Sequence, residues 1–145
     1  MVSVMFDEYA IKKYAEFADG KFHGHVDLGT GDFNDDAPMA TDALVIMAVS
    51  VNEHFKIPLI YFLIKGLNGE ERANLVKETF MRLHETGVLA VSFTCDGPSV
   101  DFSTLKALGA TLTFPDMQPT IPHPGDEESK VRNGITNIFH PQCWL

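Results

Sequence analysis

Hydrophobic and polar positions along the chain fall into blocks that change period. "VSVMF" (2–6) reads as a short strand ending at Asp7. "FHGHVDL" (22–28) is a second strand-like piece, reached through "ADGK", which has turn chemistry. "GTGDFNDDAPMATD" (29–42) is polar and rich in Gly and Asp, and reads as a loop. Two long apolar runs follow, "ALVIMAVSV" (43–51) and "IPLIYFLI" (57–64), separated by "NEHFK". Both are apolar on both faces, which predicts a long hairpin near the centre of a sheet. Pro58 stands at the start of its arm, where a missing N–H is tolerated.

The period then becomes helical. Asn68 suits an N-cap, with Glu71 in the capping-box position and Glu70 beside it at the positive end of the helix dipole. Val76, Phe80 and Leu83 fall at i, i+4 and i+7 and form one apolar stripe. Arg82 and His84 occupy the last turn, and Gly87 supplies the stop. "VLAVSF" begins a strand over 88–95 that reads as covered on both faces. After "DGPS" a short helix fits 100–108, with Phe102, Leu105 and Leu108 on one side and Gly109 ending it. A helix between the hairpin and the 88–95 strand predicts a crossover to a parallel neighbour, hence an α/β layer on a mixed sheet. From about Phe114 the pattern fails. The reading is a core over 1–113 and an irregular tail over 114–145, with no internal repeat.

Composition narrows the picture. A chain of 145 residues is the size of one domain, and 45% hydrophobic residues suffice for a core. A net charge of −9 is not that of a free-standing nucleic-acid binder, so other segments or chains would supply most phosphate contacts. Two cysteines, Cys95 and Cys143, make no disulfide framework and no C-x-x-C pair, which favours an intracellular compartment. The N-terminus reaches Asp7 and Glu8 too soon for a signal peptide, and neither apolar run reaches membrane-spanning length, so no membrane association is expected.

The chemistry centres on two acids. Asp7 follows the first strand and Asp96 follows the 88–95 strand, and such strand ends can be neighbours in a mixed sheet. Two carboxylates held close repel unless a cation lies between them. Mg²⁺ suits such a pair, because it takes carboxylate oxygens and keeps waters for substrate phosphates. Spacing alone leaves the bland alternative open, that both are ordinary strand-end acids.

"SVMFDEYAIKK", "GHVDLG", the long stretch containing "KIPLIYFLI" and "GEERANL", and "TCDGPS", in that order over about residues 2–124, resemble the RNase H-like catalytic core of P-element-type transposases, a family that includes the THAP-domain transposases of animals. The resemblance implies an RNase H-like mixed sheet with flanking helices, incomplete at the C-terminus, and an enzyme that cuts and joins DNA in the nucleus using Mg²⁺. Carried over by position, Asp7 of "MFDE" and Asp96 of "TCDGPS" match the first and second catalytic, metal-holding acids. The third acid of the family, a downstream glutamate beyond an inserted GTP-binding domain, has no counterpart before Leu145, and the insertion and the THAP zinc finger are absent too. "KVRNGITNIFHPQCWL" departs from the family pattern. The chain alone is therefore expected neither to cleave nor to join DNA. The rival expectation is a truncated or domesticated protein that acts without catalysis by associating with a full-length transposase or another chain. An unrelated Mg²⁺-dependent phosphatase would fit two acids but not the motif order.

Other residues read as structural. Asp27 is taken as solvent-facing, with an outer-shell role as its alternative. "GTG" (29–31) lacks the strand–helix context of a phosphate loop. Cys95 reads as a buried, inert thiol. His23 and His25 alternate on a strand without a third ligand, and His123, His140 and Cys143 are scattered through the tail, a weak zinc pattern.

Overall fold

The computed structural model describes residues 1–29, 37–95 and 99–135. Ten elements follow in order: β1 (Val2–Ala10), β2 (Glu16–Ala18), β3 (Lys21–His23), β4 (Asp42–Ser50), β5 (Lys56–Ile64), α1 (Gly69–Glu85), β6 (Ala90–Cys95), α2 (Ser99–Ala107), β7 (Thr120–His123) and β8 (Asp126–Ile135). Six strands form one mixed sheet in the order β5-β4-β1-β6-β8-β7, and β2 and β3 form a separate hairpin. β4 runs antiparallel to β1, whereas β6 runs parallel to it. The expected crossover is present: α1 carries the chain from the β5 edge past β4 and β1 to β6.

Strand alternation decides where the core lies. Val2, Val4 and Phe6 of β1 are buried, as are Leu44, Ile46 and Ala48 of β4, and these positions face the same side of the sheet. Both helices cover that side. Phe80 of α1 meets Phe93 of β6 edge-on at 6.1 Å, Phe93 tilts against Phe6 at 5.2 Å, and Leu105 of α2 and Leu108 just after it join the same cluster. The alternate positions Ser3, Met5, Asp7, Val45, Met47 and Val49 are half-buried on the opposite face, which no described helix covers. There the Ser92 hydroxyl donates to the Ser3 hydroxyl at 2.7 Å.

α1 begins as its sequence dictates. The Asn68 side chain accepts from the Glu71 N–H at 3.0 Å, and the Glu71 carboxylate accepts from the Asn68 N–H at 2.8 Å. Gly69 is required by packing, because a Cβ there would sit 2.2 Å from the Ser103 hydroxyl of α2.

Several sequence expectations need correction. β1 does not stop at Asp7 but continues to Ala10, because β4 runs beside it as far as Asp42 and supplies backbone partners. The 22–28 segment is not one strand. Gly24 adopts φ +95°, and a Cβ there would strike the Tyr14 carbonyl, so the chain breaks after β3 and rejoins pairing through the His25–Met39 and Asp27–Leu63 bridges. The unforeseen β2 pairs with β3 through the Asp19–Gly20 turn, whose two positive φ values of 51° and 77° suit a tight hairpin. The hairpin of the two apolar runs forms, but only β4 is central. β5 is an edge strand, with Ile57 50% and Tyr61 68% exposed. On α2 the buried side is Asp101 and Leu105, continued by Leu108 just past its end, while Phe102 is 39% exposed.

The tail is also more regular than expected: Thr120–His123 and Asp126–Ile135 are strands of the main sheet. Prolines and charges mask their alternation. Ile121 and His123 point inward while Pro122 points outward, and Pro122 is tolerated because β7 is an edge strand. Among the described residues no helix is long and apolar enough to cross a membrane.

His123 is therefore a core residue. It is 2% exposed and packs edge-on against Phe80 and against the His84 ring, and its Nδ1 accepts from the Gly125 N–H at 3.1 Å. Burial, reinforced by the nearby His84 charge and opposed by Asp126, holds its pKa below the ordinary 6.5. As pH falls below about 6.5 the unfolded chain takes up a proton that the folded chain refuses, so this contribution is full above that pH and declines below it. Urea midpoints measured between about pH 5 and 8 should fall on acidification, and the fall should be smaller in His123→Phe. Equal slopes in both proteins would contradict the assignment. Separately, Asn68→Ala should cost about 1 kcal/mol in urea unfolding with an unchanged m-value.

Candidate functional site

Alternation along β1 gives its two adjacent acids opposite destinations. Asp7 lies opposite Val45 of β4, on the face without helices. It is half-buried and contributes to a recess of about 60 Å³ with Met5, Val45, Met47, Thr94 and Cys95. Its Oδ1 accepts from the Glu8 N–H at 2.8 Å. No ion pair engages Asp7 among the described residues, although Lys56 lines the same recess. Thr94 and Cys95 reach this recess because the parallel β1–β6 pairing runs from Val2–Ala90 to Met5–Thr94. Asp96, the expected partner, lies outside the described residues, as do Thr30 and Gly31 of "GTG", His140 and Cys143.

Glu8 points the other way, into the helix layer. There it pairs with Arg72 of α1, whose Nη1 also stands 3.9 Å from Asp101 Oδ1 in α2. The Arg72 Nε donates to the Leu67 carbonyl at 3.3 Å. Arg72 is 5% exposed and Asp101 1% exposed. A buried guanidinium is tolerated when a paired carboxylate and a carbonyl accept from its N–H groups and a further carboxylate lies nearby. A cleft of about 390 Å³ opens beside this network, lined by Asp7, Glu8, Asp42, Arg72 and Asp101 among others. Asp42 accepts from the Thr41 hydroxyl at 2.5 Å.

The sequence reading passed over this network, although a signal existed. Arg72 lies on the apolar stripe of α1, at i relative to Val76 at i+4 and Phe80 at i+8. Asp101 of α2 stands likewise before Leu105, and before Leu108 just past the helix end. Opposite charges on the buried stripes of two successive helices point to an internal ion pair.

The remaining candidates separate from Asp7. Asp27 is exposed, its Oδ1 accepts from the Gly29 N–H at 2.8 Å, and its backbone bridges to Leu63 on the far side of β5. Three strand spacings, about 14 Å, separate that position from β1, so Asp27 does not share a site with Asp7. His23 closes β3 and is exposed, whereas His25 lies beyond the Gly24 break, so the two do not belong to one strand face. Cys95 is 2% exposed within the core. Among the described residues no group of three or more His, Cys, Asp or Glu side chains is arranged to hold a metal ion.

A mixed sheet with a parallel β1–β6 pair at its centre, helices on one side and a carboxylate on the other is an RNase H-like α/β arrangement. Comparison with solved structures agrees. The chain matches one from a Drosophila P element transposase strand transfer complex with a TM-score of 0.68 and 14% identity, over 91% of this chain and 25% of that one. Residues 1–109 match the TNP-like, RNase H N-terminal domain family, and the chain belongs to that family. It is 29% identical over 123 residues to the human DNA transposase THAP9, an alignment covering 84% of this chain and 13% of that protein. The chain thus spans a small part of the relatives that it matches.

The burial of Cys95 has a direct consequence. Iodoacetamide should label it far more slowly in the native protein than in urea, as read by peptide mass spectrometry. Rapid native labelling would contradict its place in the core.

Proposed function

We propose that this chain forms part of the catalytic domain of a P-element-type transposase, in which Asp7 and Asp96 are two of the carboxylates of a metal-dependent site for DNA strand cleavage and joining. The observation that carries the reading is Asp7 itself. In a chain of this family it is a half-buried carboxylate on the uncovered face of the central strand, without an ion pair among the described residues. Its oxygens are hard donors of the kind Mg²⁺ prefers, and the Glu8 N–H occupies one lone pair of Oδ1 while leaving Oδ2 available. The chemistry that Mg²⁺ supplies in such sites is activation of the attacking oxygen and stabilisation of the leaving one.

DNA is the proposed substrate, in keeping with the strand transfer complex of the Drosophila neighbour, and the nucleus is the proposed location. The net charge of −9 means that most phosphate contacts would come from other segments or chains. With two carboxylates, residues 1–145 by themselves are proposed to be inactive. A second reading, association with a full-length transposase or another partner, draws support from the β5 edge, where Ile57 and Tyr61 are exposed. Co-elution with a full-length relative in gel filtration would favour it.

Millimolar Mn²⁺ should broaden the NMR signals of residues around Asp7, and Asp7→Asn and Asp96→Asn should each remove most of that broadening. Unchanged broadening in both variants would sink the metal assignment. Purified chain should not nick supercoiled plasmid with Mg²⁺. Nicking that disappears in Asp7→Ala and Asp96→Ala would overturn the inactivity of the chain alone.

A further inference from the structure

Arg72 is the buried charge for which the proposed site has no use. Its guanidinium joins three elements, pairing with Glu8 of β1 and Asp101 of α2 and donating to the Leu67 carbonyl before α1. Burying an ion network is costly, and well-packed apolar residues of the same volume are often as stable, so stability alone does not explain it.

What the network grips is informative. Glu8 is the chain neighbour of Asp7, and its backbone N–H donates to Asp7 Oδ1 while its side chain reaches Arg72 through the opposite face. Successive strand side chains point to opposite faces, so anchoring the Glu8 carboxylate limits rotation of the strand about its own axis at this point. It thereby aims Asp7. Among the described residues the β1–β6 pairing extends to Met5–Thr94, and Glu8 lies three residues beyond it, where β1 pairs with β4. Asp101, in the first turn of α2, ties the helix that follows β6 to the same guanidinium.

We propose that Arg72 is a positioning residue that acts through Glu8 to hold the Asp7 carboxylate in one orientation on the uncovered face of the sheet. Its significance for catalysis rests on the reading of Asp7 as a metal-holding acid, but the orientation itself does not.

Two variants test it, Glu8→Ala and the charge-free combination Glu8→Gln, Arg72→Met, Asp101→Asn. The urea midpoint reports folding. Three-bond couplings report the Asp7 χ1 rotamer, hydrogen exchange reports the Glu8 amide, and Mn²⁺ line broadening reports affinity. In the wild type Asp7 should occupy one rotamer. In the folded variants it should average, the Glu8 amide should exchange faster, and Mn²⁺ should bind about tenfold more weakly, as for loss of an outer-sphere partner. A single wild-type rotamer with wild-type Glu8 exchange in a folded variant would overturn the proposal. If the triple variant does not fold, Glu8→Ala decides. If the wild-type chain shows no Mn²⁺ broadening, the metal reading fails, and the rotamer and exchange measurements still decide whether Arg72 positions Asp7.

Discussion

The structure depends on one constraint: β1 must pair with an antiparallel strand on one side and a parallel strand on the other while keeping strict alternation between its faces. A slip of one residue would send Val4 and Phe6 to the uncovered face and Asp7 into the helix layer. The buried set Val2, Val4 and Phe6 prevents that slip, because each loses its place against α1, α2 and β6 if the register moves. The position of Asp7 on the uncovered face is thus a consequence of core packing.

The same alternation sets the electrostatics. Neighbouring acids in "MFDE" meet opposite environments: Asp7 at a half-buried surface, Glu8 against a buried guanidinium. Removing Arg72 from this network would leave the Glu8 and Asp101 carboxylates uncompensated, the costly case for buried charge. α1 and α2 are consequently bound by chemistry as well as by close approach at Gly69 and Ser103.

Local signals were legible where a short segment carries its own physics. The Asn68–Glu71 capping box, the Val76–Phe80–Leu83 stripe and the Asp19–Gly20 turn depend on neighbours within a few residues and appear as read. β5 misled because "IPLIYFLI" is as apolar as a central strand, yet sheet order leaves it at the edge. β7 and β8 were missed because their inward residues, Ile121, His123 and Val131, are separated by prolines and charges that are acceptable only beside solvent. The acids of "MFDE" are plain in the sequence, whereas the environment that each meets is not. The Arg72–Asp101 pair was written in the helical stripes, but required comparing two helices at once.

By itself the sequence determined the helix boundaries, the apolar stripes, the hairpin of two apolar runs and the acids in family motifs, because these rest on periodicity, capping and residue chemistry within one segment. The tertiary structure decided which strands are central, which face of β1 the helices cover, and that Glu8 rather than Asp7 meets Arg72. Those outcomes depend on contacts between segments distant in the chain. Glu8 and Arg72 are 64 positions apart in sequence, and no local period encodes their meeting.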